Sequence, residues 1–384
     1  MSRALPLSLR TWSEPEIAPA HGVSRRDFVR VCSMAAAAMG LSASAAAQIA
    51  EAAAKGLKPS VIWLHFQECT GCTESLLRTS TPSLSELILD LISLDYHETL
   101  FAAAGHQAEA ALAGAMKQNR GKYICVVEGA IPVNDGGIYC MIGGRTAVDI
   151  LNDVAADAGA IIALGSCASW GGVAAAAPNP TGATGAPEIL KGKTVVSIPG
   201  CPSNPYNFLG VALQYATFGT LPALDNLGRP LFAYGRTLHE HCPRRAHFDA
   251  GRFAKQYGDE GHRLGWCLYE LGCKGPQTHA NCSVQHFCDV VDAWPIGLGH
   301  PCFGCTEKGI GFNLPLHQTI PVMVPTPSTT YPPIAAEDKR INPLATGVAG
   351  LVGGALAAGG YVASKKLGES APRAVPGGDE GEQV

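Results

Sequence analysis

Val61-Ile62-Trp63-Leu64-His65-Phe66-Gln67-Glu68-Cys69-Thr70-Gly71-Cys72 decides how the first half of this chain is read. Its apolar run, Val61–Phe66, is almost unbroken, as in a strand buried on both faces. A closely spaced thiol pair follows at once. Three more runs of this kind occur, at Tyr123–Val127, Ala160–Leu164 and Thr194–Ile198. Stretches of helical length lie between them. Ser75–Leu94 repeats Leu at helical intervals, and Arg145–Ala158 is similarly periodic. Alternating strands and helices predict a doubly wound α/β domain over residues 58–225. Such sheets hold ligands beyond the carboxyl ends of their strands. Leu164 runs into Gly165-Ser166-Cys167, and Ile198 runs into Pro199-Gly200-Cys201. Three strand ends are therefore expected to bring Cys69, Cys72, Cys167 and Cys201 together.

The wider composition agrees with a chain built around thiols. It has 384 residues, 14 Cys, 12 His and 45 Gly, and only 16 % of its residues are charged. The apolar fraction of 47 % fills real cores, which excludes general disorder. A net charge of −4 excludes binding to nucleic acid through a basic surface. The chain is far above the size at which disulfides must replace a core. Spacing must therefore say what the cysteines do.

Four thiolates at strand ends suit a cubane [4Fe–4S] cluster, each iron needing one sulfur ligand. A zinc site also takes four thiolates but draws more often on two compact knuckles. Beyond residue 230 Gly, Pro, His and Cys dominate, and long periodic runs stop. Residues 230–320 read as a smaller, irregular domain held by cofactors. His239, Cys242, Cys267 and Cys273 there fit zinc or a cluster with one imidazole ligand. Cys282, Cys302 and Cys305 suit a [3Fe–4S] cluster, with Cys288 keeping a [4Fe–4S] alternative open. Cys125 and Cys140 read as structural thiols, the default for unassigned cysteines.

The two ends read as addresses. Ser24-Arg25-Arg26-Asp27-Phe28 precedes an Ala-rich apolar stretch with small-residue cleavage triplets at Ala45–Ala47 and Ala52–Ala54. This is the layout of a twin-arginine signal peptide over residues 1–52, with Cys32 inside it. Such export moves folded proteins, so clusters are inserted before crossing and an all-disulfide reading loses ground. Leu344–Ser364 holds no charge in 21 residues and is followed by Lys365 and Lys366. A helix of that length spans about 30 Å, and the lysines set its end on the cytoplasmic side. A single membrane anchor over 344–364 is expected, with a disordered polar tail over 368–384.

The long motifs give a sharper reading. They are Glu68-Cys69-Thr70-Gly71-Cys72-Thr73-Glu74-Ser75, Val127-Glu128-Gly129-Ala130-Ile131-Pro132, Gly165-Ser166-Cys167-Ala168-Ser169-Trp170-Gly171-Gly172, Asn179-Pro180-Thr181-Gly182-Ala183, Pro199-Gly200-Cys201-Pro202, His247-Phe248-Asp249-Ala250-Gly251-Arg252-Phe253, Cys267-Leu268-Tyr269-Glu270-Leu271-Gly272-Cys273-Lys274-Gly275-Pro276 and Gly299-His300-Pro301-Cys302-Phe303-Gly304-Cys305. With them the chain resembles, nearly end to end, the small subunits of membrane-bound uptake [NiFe] hydrogenases. The resemblance implies a flavodoxin-like domain followed by an iron–sulfur domain. It implies a proximal [4Fe–4S] cluster on Cys69, Cys72, Cys167 and Cys201. It implies a medial [3Fe–4S] cluster on Cys282, Cys302 and Cys305, with Pro295 where members having that centre keep a proline. It implies a distal [4Fe–4S] cluster on His239, Cys242, Cys267 and Cys273.

The same resemblance implies a large subunit that holds the Ni–Fe site and splits hydrogen. Electrons then pass through the three clusters to a membrane cytochrome b and quinone, on the periplasmic side. The assembly would be a hydrogen:quinone oxidoreductase, and this chain would break no bonds itself. Glu68 is a candidate for proton release, an ordinary carboxylate being the plainer reading. Oxygen-tolerant members carry extra cysteines at the positions of Gly71 and Gly172, so the standard, oxygen-sensitive type is implied. Two other classes compete. A quinone-linked relay protein like that of respiratory complex I would hold one cluster, and the later cysteine sets speak against it. An exported structural protein held by zinc or disulfides would lack visible absorption that bleaches on reduction.

Overall fold

Five strands make one parallel sheet in the computed structural model, which describes residues 42–54, 58–79, 91–287 and 290–322. They are β1 (Ser60–His65), β2 (Ser93–His97), β3 (Ile124–Glu128), β4 (Ala160–Leu164) and β5 (Val196–Ile198). Their order is β2-β1-β3-β4-β5 and every neighbouring pair is parallel. That order is the flavodoxin-like one. Residues 1–41 with the arginine pair, Cys288, the segment 344–364 and the tail 368–384 lie outside the described residues. Among the described residues no helix is long and apolar enough to cross a membrane.

Alternation along the strands builds two cores. Val61, Trp63, Ile124, Val126, Ala160 and Ile162 face one side, and Ile62, Leu64, Cys125, Val127, Ile161 and Ala163 face the other. Helices cover both. We number them α1 (Ala43–Ala54), α2 (Gly71–Leu77), α3 (His106–Gln118), α4 (Ala147–Ala156), α5 (Gly165–Trp170) and α6 (Pro205–Phe218). Ile49 of α1 and Phe208, Val211 and Ala212 of α6 join the first core. Leu112 of α3 and Ile150, Leu151 and Val154 of α4 join the second. Each large apolar side chain buried this way contributes about 1.5–3 kcal/mol. Local signals set the helix ends. Thr146 caps α4 by accepting from the Asp149 N–H, and Asn204 caps α6 by accepting from the Tyr206 N–H. Pro205 opens α6, and Gly219 closes it in the left-handed region.

Three differences from the sequence reading have physical causes. The expected helix Ser75–Leu94 begins earlier, at Gly71, its described part stops at Leu77, residues 80–90 lie outside the described residues, and its far end is strand. Leu94 pairs with Val61 in β2, an edge strand not foreseen from sequence. The Leu repeat continues unbroken into Ser93-Leu94-Asp95-Tyr96, where a period of two takes over. The run at Thr194 enters the sheet at Val196. Arg145 and Thr146 pair antiparallel with Ile142 and Met141 before α4 begins. Both candidate cleavage triplets lie in α1, whose Ile49 is fully buried.

The second half has little regular structure, as expected. Its longest described helix, Arg245–Asp249, has five residues. Polar ties replace periodic packing. Buried Arg229 donates to Asp225 at 2.7 Å, to Glu307 at 2.9 Å and to the Thr306 carbonyl at 2.9 Å. The Ser166 hydroxyl donates to the Cys305 carbonyl at 2.6 Å, and the Asn204 amide to the Gln285 carbonyl at 2.9 Å. These bonds fix the irregular half against the carboxyl edge of the sheet.

Candidate cluster-binding sites

The first four thiols meet at that edge. Cys69 follows β1, Cys72 lies in the first turn of α2, Cys167 in α5 directly after β4, and Cys201 just past β5. Burial raises the Cys72 thiol well above its ordinary value, and Glu128 and Cys167 add to this. Burial raises Cys167 to about 11, with Cys201 and Cys69 contributing. Burial and Cys69 raise Cys201. The four groups thus act on one another electrically. Gathering thiols that disfavour their own ionisation makes sense where a cation can hold the thiolates.

The backbone around them is shaped for sulfur. A Cβ on Gly165 would lie 2.5 Å from the Cys72 Sγ, and one on Gly172 would lie 2.8 Å from the Cys167 Sγ. Both glycines have positive φ, +84° and +50°, which L side chains rarely adopt. A Cβ on Gly71 would lie 3.1 Å from the Cys69 Sγ. Gly71 and Gly172, singled out from sequence, therefore border the thiol group directly.

Glu128, at the end of β3, positions Cys72. Its carboxylate accepts the backbone N–H of Cys72 at 3.0 Å and of Thr73 at 3.2 Å. It also accepts the Thr73 hydroxyl at 2.6 Å and the Trp63 indole N–H at 3.0 Å. A carboxylate at a helix N-terminus satisfies orphan donors and complements the dipole. Sequence reasoning passed over Glu128 as a group with a task, although it lies inside a quoted motif.

Glu68 sits beside this group. One oxygen accepts from Thr70 at 3.2 Å and lies 3.1 Å from His65 Nδ1, while the other is buried without a partner. His65 Nε2 lies 3.3 Å from His97 Nε2. His97 Nδ1 accepts the Leu100 N–H at 3.3 Å, which leaves its proton on Nε2, facing His65. Burial, then His65, lowers His97 to about 3, so it stays neutral. Glu68 thus ends a hydrogen-bonded line of two imidazoles. The ligand atoms of His65, Glu68 and Glu128 lie within 4.8 Å of one another. Each Glu128 oxygen already accepts two donors, so the trio is a hydrogen-bond network rather than an open metal site.

The other two sets lie in the second half. Cys282, Cys302 and Cys305 line a cavity of about 590 Å³ with Pro295, Trp294 and Leu316. Burial raises Cys282 to about 12 and lifts Cys302 and Cys305 as well. Cys302 acts on Cys282, and Cys282 acts on Cys305. Pro295 lines this cavity.

His239, Cys242, Cys267 and Cys273 line a second cavity. Burial raises Cys242 and Cys267 to about 12. Burial, then Arg245, lowers His239 to about 4, so its imidazole is neutral at ordinary pH. His239 Nε2 is buried without a hydrogen-bond partner. An orphaned lone pair among three thiols is what a metal ligand looks like before metal is considered. All three sets fit iron–sulfur groups. Cys125 is fully buried in the second core and Cys140 packs against it, so both are structural.

The sets stand in series. Cys201 lines the same cavity as Cys305 and acts electrically on its thiol. The Cys302 carbonyl accepts the N–H of Lys274, next to Cys273, at 2.7 Å, and Cys273 acts on the Cys302 thiol. The set Cys282, Cys302 and Cys305 is therefore the middle one, tied to each of the others.

A sheet edge and an irregular cap holding three gathered sets of soft ligands define an iron–sulfur electron-transfer chain. Comparison with known proteins gives the family. A model of the NADH ubiquinone oxidoreductase 20 kDa subunit matches residues 69–215, and one of the C-terminal region of the NiFe/NiFeSe hydrogenase small subunit matches 234–316. The chain is 53 % identical to the hydrogenase-2 small chain of Escherichia coli over 349 residues, 91 % of this chain and 94 % of that one. It is 44 % identical to the uptake hydrogenase small subunit of Azotobacter vinelandii over 345 residues, 90 % and 94 % of the two chains. The reduced, active Ni-Fe-Se hydrogenase from Desulfomicrobium baculatum superposes with a TM-score of 0.61 at 34 % identity, over 65 % of this chain and 94 % of that one. The chain belongs to the small subunits of [NiFe] hydrogenases, electron-transfer partners of the large subunits that hold the catalytic site. The second match separates it from a single-cluster relay of the complex I kind, with which it shares the first domain.

Proposed function

We propose that this protein carries electrons from hydrogen oxidation in its large subunit through three clusters in series. In this reading Cys69, Cys72, Cys167 and Cys201 hold a proximal [4Fe–4S] cluster. Cys282, Cys302 and Cys305 hold a medial [3Fe–4S] cluster, and His239, Cys242, Cys267 and Cys273 a distal [4Fe–4S] cluster. Residues 58–225 carry the first, and residues 230–320 the other two. One observation supports the order above all. The middle thiols share a cavity with Cys201 of the first set, and the Cys302 carbonyl accepts the N–H next to Cys273 of the third. When bound, the clusters supply one-electron carriers. The chain's own residues orient the ligands, aim N–H groups at their sulfurs and keep water out of the inner sets. Glu68, with His65 behind it, is a proton-transfer group at the proximal end.

The acceptor is a membrane cytochrome b that feeds quinone. Export by the twin-arginine signal in residues 1–52 and anchoring by 344–364 place the enzyme on the periplasmic side. Iron and sulfide analysis of the purified heterodimer tests the reading. About eleven irons per small subunit are expected after allowing for the large-subunit iron, with a [3Fe–4S] signal in the oxidised enzyme by electron paramagnetic resonance. Zinc without labile sulfide would overturn it.

A further inference from the structure

Lys274 follows the ligand Cys273 and is fully buried. Its Nζ donates to the carbonyls of Gly272 at 2.8 Å, Leu316 at 2.8 Å and Gln318 at 2.9 Å. An ammonium has three N–H groups and no lone pair, whereas a neutral amine would turn a lone pair on one of these oxygens. The geometry is that of a cation with every donor used, and none of its three partners is a carboxylate. Such a buried charge is costly unless something negative lies close by. The nearby negative groups are the sulfurs of Cys273 and Cys302, which act on its charge. The Lys274 N–H donates to the Cys302 carbonyl at 2.7 Å. Its Cβ packs beside Gly304, within the Cys302–Cys305 loop, and Leu316 lines the medial cavity. The lysine thus stands at the seam between the middle and outer ligand sets.

We propose that Lys274 is a positioning and potential-setting residue whose fixed charge stabilises the reduced forms of the medial and distal clusters. This inference rests on the cluster reading given above. A positive charge beside a centre that gains an electron favours the gain, so both potentials stand higher than the ligands alone would set them. The proximal cluster, whose ligands lie beyond the middle set, is not affected in this way. Electrons are thereby drawn outward from the proximal end. The three carbonyl bonds also strap residues 316–318 over the ligand loop, so charge and strap must be separated.

The experiment is a redox titration of the intact heterodimer, followed by electron paramagnetic resonance, for wild type, Lys274→Gln and Lys274→Arg. Both variants disturb the strap, but only Gln removes the charge. In Lys274→Gln the reduced-to-oxidised ratio of the medial and distal clusters at a fixed ambient potential is expected to fall about tenfold, roughly 59 mV for a one-electron centre. The proximal cluster is the internal reference and should move less than about twofold on the same scale. Lys274→Arg should stay near wild type. A medial and distal change below about twofold in Lys274→Gln, an equal change in all three clusters, or an Arg variant moving as far as Gln would each overturn the proposal. If the Arg variant fails to assemble, the proximal reference alone still decides. Wild-type enzyme without the cluster signals would overturn the cluster reading and this inference with it. Signals present but unmoved overturn this inference alone.

Discussion

Single residues decide how the proximal thiols are presented. Glu128 accepts four donors, three of them from the α2 N-terminus. Glu128→Ala would leave the Cys72 N–H, the Thr73 N–H and the Trp63 indole unpaired in the interior. A loss of about 3 kcal/mol is expected, with reduced proximal iron. Glu128→Gln keeps the shape and should lose less. Thermal melting and iron counts on both variants check this, and an Ala variant as stable as wild type would refute the role. Gly172 shows why its position admits cysteine only with adjustment, since a Cβ there comes 2.8 Å from the Cys167 Sγ at positive φ. The chain carries no extra thiol at Gly71 or Gly172. We therefore expect hydrogen oxidation to decay rapidly in air, and sustained turnover under air would contradict this. Glu68 was legible from its place beside Cys69, and both glycines from the family resemblance. Glu128 and Lys274 were not, because their partners are backbone groups supplied by distant segments.

At the scale of elements, β2 carries the largest departure from the sequence reading and also a pH response. A continuous Leu repeat hides the switch to strand, because periodicity read over a long window cannot show where pairing with β1 takes over. The other four strands were legible because both their faces are apolar. His97 ends β2 and faces His65, Thr73, Thr99 and the Leu100 N–H. It is held to about 3 by burial, then by His65, whereas an ordinary histidine titrates near 6.5. Between those values the unfolded chain takes up a proton that the folded chain refuses. Stability is therefore full above about pH 6.5 and falls as pH drops toward 3, by up to about 1.4 kcal/mol per unit from this residue. Thermal midpoints of wild type and His97→Asn between pH 7 and 5 test it. The wild-type curve should fall more steeply, and parallel curves would remove His97 as the cause.

For the whole molecule, the distribution of exposure gives the relay a direction. Cys69 and Cys201 are exposed, while Cys242, Cys267, Cys273 and Cys302 are buried. A cluster held by open thiols needs a cover, and we propose that the large subunit supplies it at the carboxyl edge of the sheet. The strand-end cysteines made this edge legible in sequence. The order of the sets came from the family resemblance and not from spacing, since it depends on a backbone bond from beside Cys273 to Cys302 across the irregular half. In the proposed reading the outward end of the relay meets a membrane acceptor. The charge-free segment 344–364, with Lys365 and Lys366 after it, has the length and lack of charge that we propose for a tether. Deleting residues 344–384 leaves every cluster ligand in place, so the heterodimer should still reduce an artificial dye with hydrogen. It should move from the membrane to the soluble fraction and lose electron flow to quinone. Retention on the membrane with quinone reduction intact would mean that the cytochrome alone holds the enzyme. Loss of dye reduction would mean that the tail takes part in folding or assembly, and either result would end its reading as a simple tether.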